Sequence, residues 1–374
     1  MPPRASAHIN LAAIERNTTR LCDAAPSAVL CAVVKADGYG HGSVAAARAA
    51  LAGGASWLAV ATAPEASQLR AAGIDGPILI LGVLDDDDLH LALAADADIV
   101  AWDSAFLERM AHLGGGRVHI KLDTGMGRLG TRNPEEATRL AWQAARSSAL
   151  ELVGLTTHFA TADDRGDAFF DVQLERFSTW SDPLKAAFPG VIRHAANSAA
   201  LLRDRASHFE LVRPGVALYG LDPFGEDAAQ HQLEPALELR SFIGAIKPCA
   251  AGESAGYGRR FIATRATSLA TVPIGYGDGW RRGLTNNAEV LVGARRVALV
   301  GTVSMDNITI DLGAAGVSAG AGDEVVLVGQ RGEERITAEA LAQRLATINY
   351  EVTCGITARV PRIYHRDGAV VDAG

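Results

Sequence analysis

The chain has 374 residues, 48% hydrophobic and 21% charged, enough apolar material for two domains or for one large barrel with an addition. Its formal net charge of -8 leaves no basic excess for neutralising phosphates, which argues against nucleic acid or an anionic membrane as a partner. Cys22, Cys31, Cys249 and Cys354 form no CxxC pair, which disfavours a structural zinc site and a disulfide framework. The opening MPPRASAHINLAAIERN lacks an apolar leader and no 18-residue apolar stretch follows, so a reducing cytoplasm is the expected location.

In chain order, short apolar runs predict strands at Val29–Lys35, Ser56–Ala61, Pro77–Gly82, Asp98–Ala101, Val118–Leu122, Leu152–Thr157, Val191–His194 and Phe209–Val212. Between them, segments such as SVAAARAALA, APEASQLRAA and NPEEATRLAWQAARSS carry helical periodicity. The run Asp85-Asp86-Asp87-Asp88 is expected to cap a helix and face solvent, since adjacent carboxylates repel when buried. Eight β–α repeats predict a parallel (β/α)8 barrel of the TIM type over residues 1–235. The later stretches TSLATVPIGY, AEVLVGARRVALVGTVSMDNITIDL and GDEVVLVGQ, with one late helix in TAEALAQRLAT, predict a mainly β domain over residues 236–374.

Barrel enzymes build their sites on the loops after the strands, so the residues at the strand ends are the informative ones. Lys35 ends the first strand, and a lysine there more often simply meets solvent. A half-buried amine with a lowered pKa, however, is suited to forming a Schiff base. Tyr39 follows it, Arg128 lies in the loop after the fifth strand, His158 follows the sixth, Asn197 and Ser198 the seventh, and Arg213-Pro214-Gly215 the eighth. Each has an ordinary reading alone, as a surface ion pair or a satisfied core histidine. Together they fall on one rim. No carboxylate triad or histidine cluster with metal spacing accompanies them, so no metal is expected, and a lysine among glycines, a serine and a histidine suits pyridoxal 5'-phosphate (PLP).

The blocks VVKADGYGHG, KLDTGMGRLG, HAANSAA, VRPGVALYG, AGYGR, PIGYGDGWRR, GTVSMDNITIDL and RVPRIY, spread over residues 33–364, resemble the signature blocks of the alanine racemase family in the family's order. The resemblance implies a PLP-dependent isomerase that interconverts L- and D-alanine and supplies D-alanine for cell-wall peptidoglycan. By the same resemblance Lys35 carries PLP. Tyr39, Ser198, Gly215, Val216 and Tyr350 hold its phosphate, Asn197 is a further cofactor-binding residue, Arg213 serves the pyridine nitrogen, His158 the ring face and Arg128 the phenolic oxygen. Lys121 resembles a family lysine that is often carbamylated. Lys35 and Tyr257 resemble the two bases, and Met305 resembles the residue whose amide receives the substrate carboxylate. Tyr276 and Tyr350 resemble the pair that narrows the entrance, with Asp306 orienting that region. Tyr257 and Met305 come across from the second subunit of a homodimer in the family, which implies shared sites and a small amino acid as substrate. Gly38 stands where alanine is usual and Ser304 where many relatives have cysteine. Alternatives are a broader-specificity or serine racemase, a basic amino-acid decarboxylase, and a PLP carrier, against which the β domain with Tyr257 and Met305 argues.

Overall fold

A computed structural model describes residues 3–371. The described chain divides into two compact units: one holds Ile14–Gly38 and Ser43–Leu218, the other the residues up to Ala13, Tyr39–Gly42 and those from Tyr219 on. The sequence placed the boundary near residue 235 and assigned the N-terminus to the barrel. In the structure strand β1 (Ala5–Asn10) instead pairs antiparallel with Leu237–Phe242 and parallel with Arg362–Arg366, so backbone hydrogen bonding ties it to the late sheet.

The first unit is a parallel barrel of β2 (Val29–Val33), β3 (Trp57–Val60), β4 (Ile78–Ile80), β5 (Asp98–Ala101), β6 (Gly116–Lys121), β7 (Leu150–Thr156), β8 (Ile192–His194) and β9 (Leu211–Val212). Neighbours pair in sequence order, and β9 pairs with β2. Glu210 N–H donates to the Arg193 carbonyl and Arg213 N–H to that of Ala196, joining the β8 and β9 ends. Leu58, Val60, Ile78, Leu79 and Ile80 are wholly buried, as a sheet covered on both faces requires. The eighth strand begins at Leu211 rather than Phe209, because Phe209 adopts φ 49°, a left-handed turn that cannot extend a strand.

The helices around the barrel are set by their caps. Thr62 and Glu65 form a reciprocal capping box for Ala63–Ala71, and Asn133 caps Pro134–Arg146. Asp85 accepts the Asp88 N–H at the start of Asp86–Ala94, so the acidic run does begin a helix and places negative charge at its positive end.

In the second unit, β1 lies in a mixed sheet with Leu237–Phe242, Glu324–Arg331, Glu289–Val292, Arg295–Ala298 and Arg362–Arg366, and a smaller antiparallel sheet joins Ala245–Cys249, Thr267–Val272 and Ile308–Asp311. The expected late helix is Ala338–Leu345, capped by Thr337.

Candidate active site

Strand β2 stops at Val33, and half-buried Lys35 opens an unusual turn. Ala36, Asp37, Gly38 and Tyr39 take φ of 53°, 53°, 60° and 53°, a left-handed run. That conformation costs an L-residue roughly 1–2 kcal/mol, so the surroundings must impose it. Gly38 N–H donates to the Val34 carbonyl at 2.9 Å, Ala36 N–H to Glu65 Oε1 at 2.7 Å, and Ser43 N–H to Asp37 Oδ1 at 3.1 Å. Gly38 relieves one of the four positions. The strand is shorter than predicted because this turn redirects the chain next to Lys35.

Lys121 ends β6 and is buried. Its amine is pulled down to about 8, first by burial and then by the charges of Arg213, Arg128 and Lys35, with only Asp123 opposing them. His158 is held well below the ordinary histidine range by burial and by Arg213, Lys121, Arg128 and Lys35, so its ring is neutral. Lys35, Lys121, Arg128, His158 and Arg213 are thus close enough to act on one another, at the barrel mouth where their strands end. Asp123 is already committed: its carboxylate accepts the N–H groups of Gly125 and Gly127 at 3.0 Å and Arg132 Nε at 3.1 Å. Those bonds outweigh its burial and lower its pKa. They also shape the loop on which exposed Arg128 stands.

Arg213 is buried, and burial brings its guanidinium down to about 10. It donates to His194 Nδ1 at 2.6 Å and to the carbonyls of Thr157 and Ala195 at 2.8 and 3.1 Å. Ser198 Oγ accepts the N–H groups of Gly215 and Ala217 at 2.9 and 3.3 Å, where Val216 opens a short 3-10 turn. Asn197 caps the helix Ser198–Arg203 through the Ala200 N–H.

The residues expected from the second domain lie in the β unit. Tyr39, which groups with that unit, has its ring 5.2 Å from that of Tyr219 and 6.0 Å from that of Tyr350, and burial followed by Tyr350 pushes its phenol pKa up. Tyr257, Met305 and Tyr276 are 72%, 51% and 43% exposed. Tyr276 N–H donates to the Ser304 carbonyl at 3.1 Å and Gly277 N–H to that of Met305 at 2.9 Å, so these two loops form one piece. Gly275 permits this approach, since a Cβ there would lie 2.3 Å from the Ser304 oxygen. Arg359 joins the same loops, reaching Asp306 at 2.8 Å and Asp278 at 3.3 Å. Thr302 Oγ1 donates to the Tyr257 carbonyl at 2.7 Å.

Residues 9–223 match the family "Alanine racemase, N-terminal domain" and residues 236–364 the family "Alanine racemase, C-terminal domain". The chain belongs to the alanine racemase family. It is 41% identical over 366 residues to the alanine racemase of Symbiobacterium thermophilum, covering 96% of each protein. It is 38% identical over 372 residues to alanine racemase 1 of Bacillus subtilis, covering 98% of this chain and 94% of that protein. Among solved structures, the alanine racemase from D-cycloserine-producing Streptomyces lavendulae superposes with a TM-score of 0.92 at 37% identity, covering 98% of both chains. The enzyme from E. faecalis gives 0.89 at 37% identity, covering 97% of this chain and 98% of that one.

The family blocks do not contain Glu65, His119 or Asp98, and they give no role to His194, which opens HAANSAA. Glu65 bonds Ala36 and His194 bonds Arg213, with His119 and Asp98 following behind His194. Period-two alternation in Arg117-Val118-His119-Ile120-Lys121 was the available signal, because it sets three polar residues on one face of a barrel strand. The capping-box spacing of Thr62 and Glu65 was legible too, but not the further bond from Glu65 to Ala36.

Proposed function

We propose that this chain interconverts L- and D-alanine with PLP as cofactor, and that its cellular role is to supply D-alanine for cell-wall peptidoglycan. The observation that carries the reading is the gathering of Lys35, Lys121, Arg128 and Arg213 with neutral His158 at one barrel mouth, where Asp123 is already bonded elsewhere. A donor set of that sign suits an anionic, phosphorylated ligand. Ser198 fits as well: its oxygen accepts two N–H groups, which leaves its own proton to donate outward beside Gly215 and Val216.

When bound, PLP supplies an electron sink for the pair left behind as the substrate's α-proton departs. The rest falls to side chains. Lys35 would anchor the cofactor, then take or return the α-proton at Nζ on one side. Tyr257 would do so at its phenolic oxygen on the other. Arg213 offers only N–H donors and cannot accept a proton from a ring nitrogen. Arg128 would answer the phenolic oxygen, with His158 against the ring, Tyr39 and Tyr350 near the phosphate, and Asn197 holding the helix that begins at Ser198.

We assign the second base to the other subunit of a homodimer. Supporting this are the exposed positions of Tyr257 and Met305 on the β unit, beside the Tyr276 loop. The Met305 amide would receive the substrate carboxylate, Tyr276 and Tyr350 would restrict side-chain size, and Asp306, bonded to Arg359, would hold that loop. Lys121, titrating near 8, has a neutral fraction able to take up CO2 as a carbamate beside Arg128. Among the described residues no helix is long and apolar enough to cross a membrane, and we propose a cytoplasmic enzyme.

Chiral analysis of a panel of amino acids incubated with purified protein and PLP tests the reading. Equal interconversion of the two alanine enantiomers is expected. Carbon dioxide release from a basic amino acid, or no turnover of any panel member, would overturn it.

A further inference from the structure

Arg213 is one end of a hydrogen-bonded series that runs through the barrel interior. Its NH1 donates to His194 Nδ1 at 2.6 Å, His194 Nε2 and His119 Nδ1 lie 2.8 Å apart, and His119 Nε2 lies 3.1 Å from Asp98 Oδ2. The other oxygen of Asp98 accepts from Arg117 Nε at 2.6 Å, and Arg117 NH1 reaches Asp96 at 2.8 Å. His119, His194 and Asp98 are wholly buried, while Arg117 and Asp96 reach solvent. Arg213 follows the last strand at the mouth, His119 sits midway along β6, and Asp98 opens β5 at the opposite end. Gly154 makes room for the ring pair, since a Cβ there would stand 2.0 Å from His119 Nδ1.

Donor and acceptor counting permits one proton arrangement. A guanidinium only donates, so His194 Nδ1 must carry a lone pair and its proton must sit on Nε2. That proton is donated to His119 Nδ1, which places the second proton on His119 Nε2, facing a carboxylate that only accepts. Each ring carries one N–H. The order is fixed from both ends, by Arg213 at the mouth and by Asp98 with Arg117 at the base.

We infer that Asp98 and His119 are positioning residues for Arg213: through the tautomer they impose on His194, they keep a buried acceptor against its NH1 and so hold its guanidinium in place at the barrel mouth. The assignment bears on the Arg213 role proposed above, but the proton arrangement itself does not depend on which ligand the site takes.

The carboxamide of Asp98→Asn makes the case testable, because it has one accepting and one donating end. Arg117 Nε requires the oxygen, so the NH2 turns to His119 Nε2. Both rings then reverse, and His194 presents Nδ1–H to Arg213, donor against donor. The logic is that of an orienting carboxylate that selects a histidine tautomer. In Asp98→Asn/Arg117→Met the competing donor is gone, the amide oxygen can return to His119, and the original order is restored.

The experiment records two-bond 1H–15N correlation spectra of full-length, histidine-labelled protein, with His119 and His194 assigned by substitution. The wild type is expected to show Nε2–H on both rings, Asp98→Asn to show Nδ1–H, and the double variant to show Nε2–H again. PLP retention and kcat/KM for alanine should fall roughly 10- to 100-fold in the single variant and recover in the double one. Local damage at Asp98 would not be repaired by removing a second polar side chain. An Nδ1–H tautomer on either ring of the wild type overturns the assignment, and this readout stands even if Asp98→Asn does not fold. Unchanged tautomers in Asp98→Asn, or a double variant as impaired as the single one, overturn it as well.

Discussion

Within the barrel unit, Arg213, His194, His119 and Asp98 are almost inaccessible, and each finds a partner of defined donor or acceptor character. On the β unit, Tyr257, Tyr276 and Met305 stand exposed on loops held by backbone hydrogen bonds and by Arg359, itself 43% exposed, paired with Asp278 and Asp306. In the first region a missing partner leaves a polar group without water, which is costly. In the second, water and salt screen whatever is lost. The protein thus dictates the protonation of the buried series, whereas Tyr257, Tyr276 and Met305, which we propose meet a second subunit, stand where solvent is tolerated.

The largest effect should come from the proposed bases, one from each region. Lys35→Ala should abolish turnover, and Tyr257→Phe should lower it by at least about 100-fold. Borohydride should fix the cofactor to the peptide carrying Lys35. If sites are shared in a C2 dimer, mixing these two variants under subunit exchange should restore activity, to at most about half per mixed dimer. Zero recovery, with mixed dimers proven by mass spectrometry, would place both bases on one chain.

Next come two glycines in contrasting surroundings. Gly154→Ala would drive a Cβ into the His119 ring and should destabilise the protein by about 3 kcal/mol in chemical denaturation. Gly293→Ala in the β unit meets nothing within 4 Å and pays only for its φ of 54°, about 1 kcal/mol. Equal losses would show that packing does not distinguish the two regions.

Lys121 gives a pH signature. Folding lowers its pKa from 10.5 to about 8, so in that window the unfolded chain binds more protons and stability should rise with pH. In CO2-depleted buffer, Lys121→Met should gain at most about 3 kcal/mol near pH 7, and the gain should fade between pH 8 and 10.5. A difference that is flat across this range would mean that Lys121 is not desolvated in the folded protein.

The smallest effect is expected for Arg359→Gln. It should raise KM for alanine slightly, leave kcat unchanged, and lose its influence at high salt, as screened surface pairs do. A fall in kcat that salt does not alter would show the clamp to be as consequential as the buried series.

Strand ends were the most legible part of this chain. Eight apolar runs predicted eight barrel strands, and of the polar residues just past them Lys35, Arg128, His158 and Arg213 act on one another at one mouth while Ser198 bonds Gly215 beside Arg213, as the parallel direction of the strands requires. What escaped the reading had non-local causes. Strand β1 joins the late sheet through partners more than 200 residues away in sequence, and no local period reports such a pairing. The apolar run predicts a strand two residues longer than Val29–Val33, because a left-handed turn of Ala36, Asp37, Gly38 and Tyr39 contradicts the local preference of three of its four residues.

From its sequence alone the chain declares a parallel barrel, a β-rich remainder, the family and the residues of the proposed chemistry, since periodicity and short motifs are written in neighbouring residues. Only the tertiary structure decided the protonation of those residues and what holds them. Lys121 titrates near 8 because folding removes its water and sets Arg213 and Arg128 beside it. Asp98, His119 and His194 form one ordered series because three strands, scattered over almost a hundred residues, bring one polar side chain each into the same buried interior.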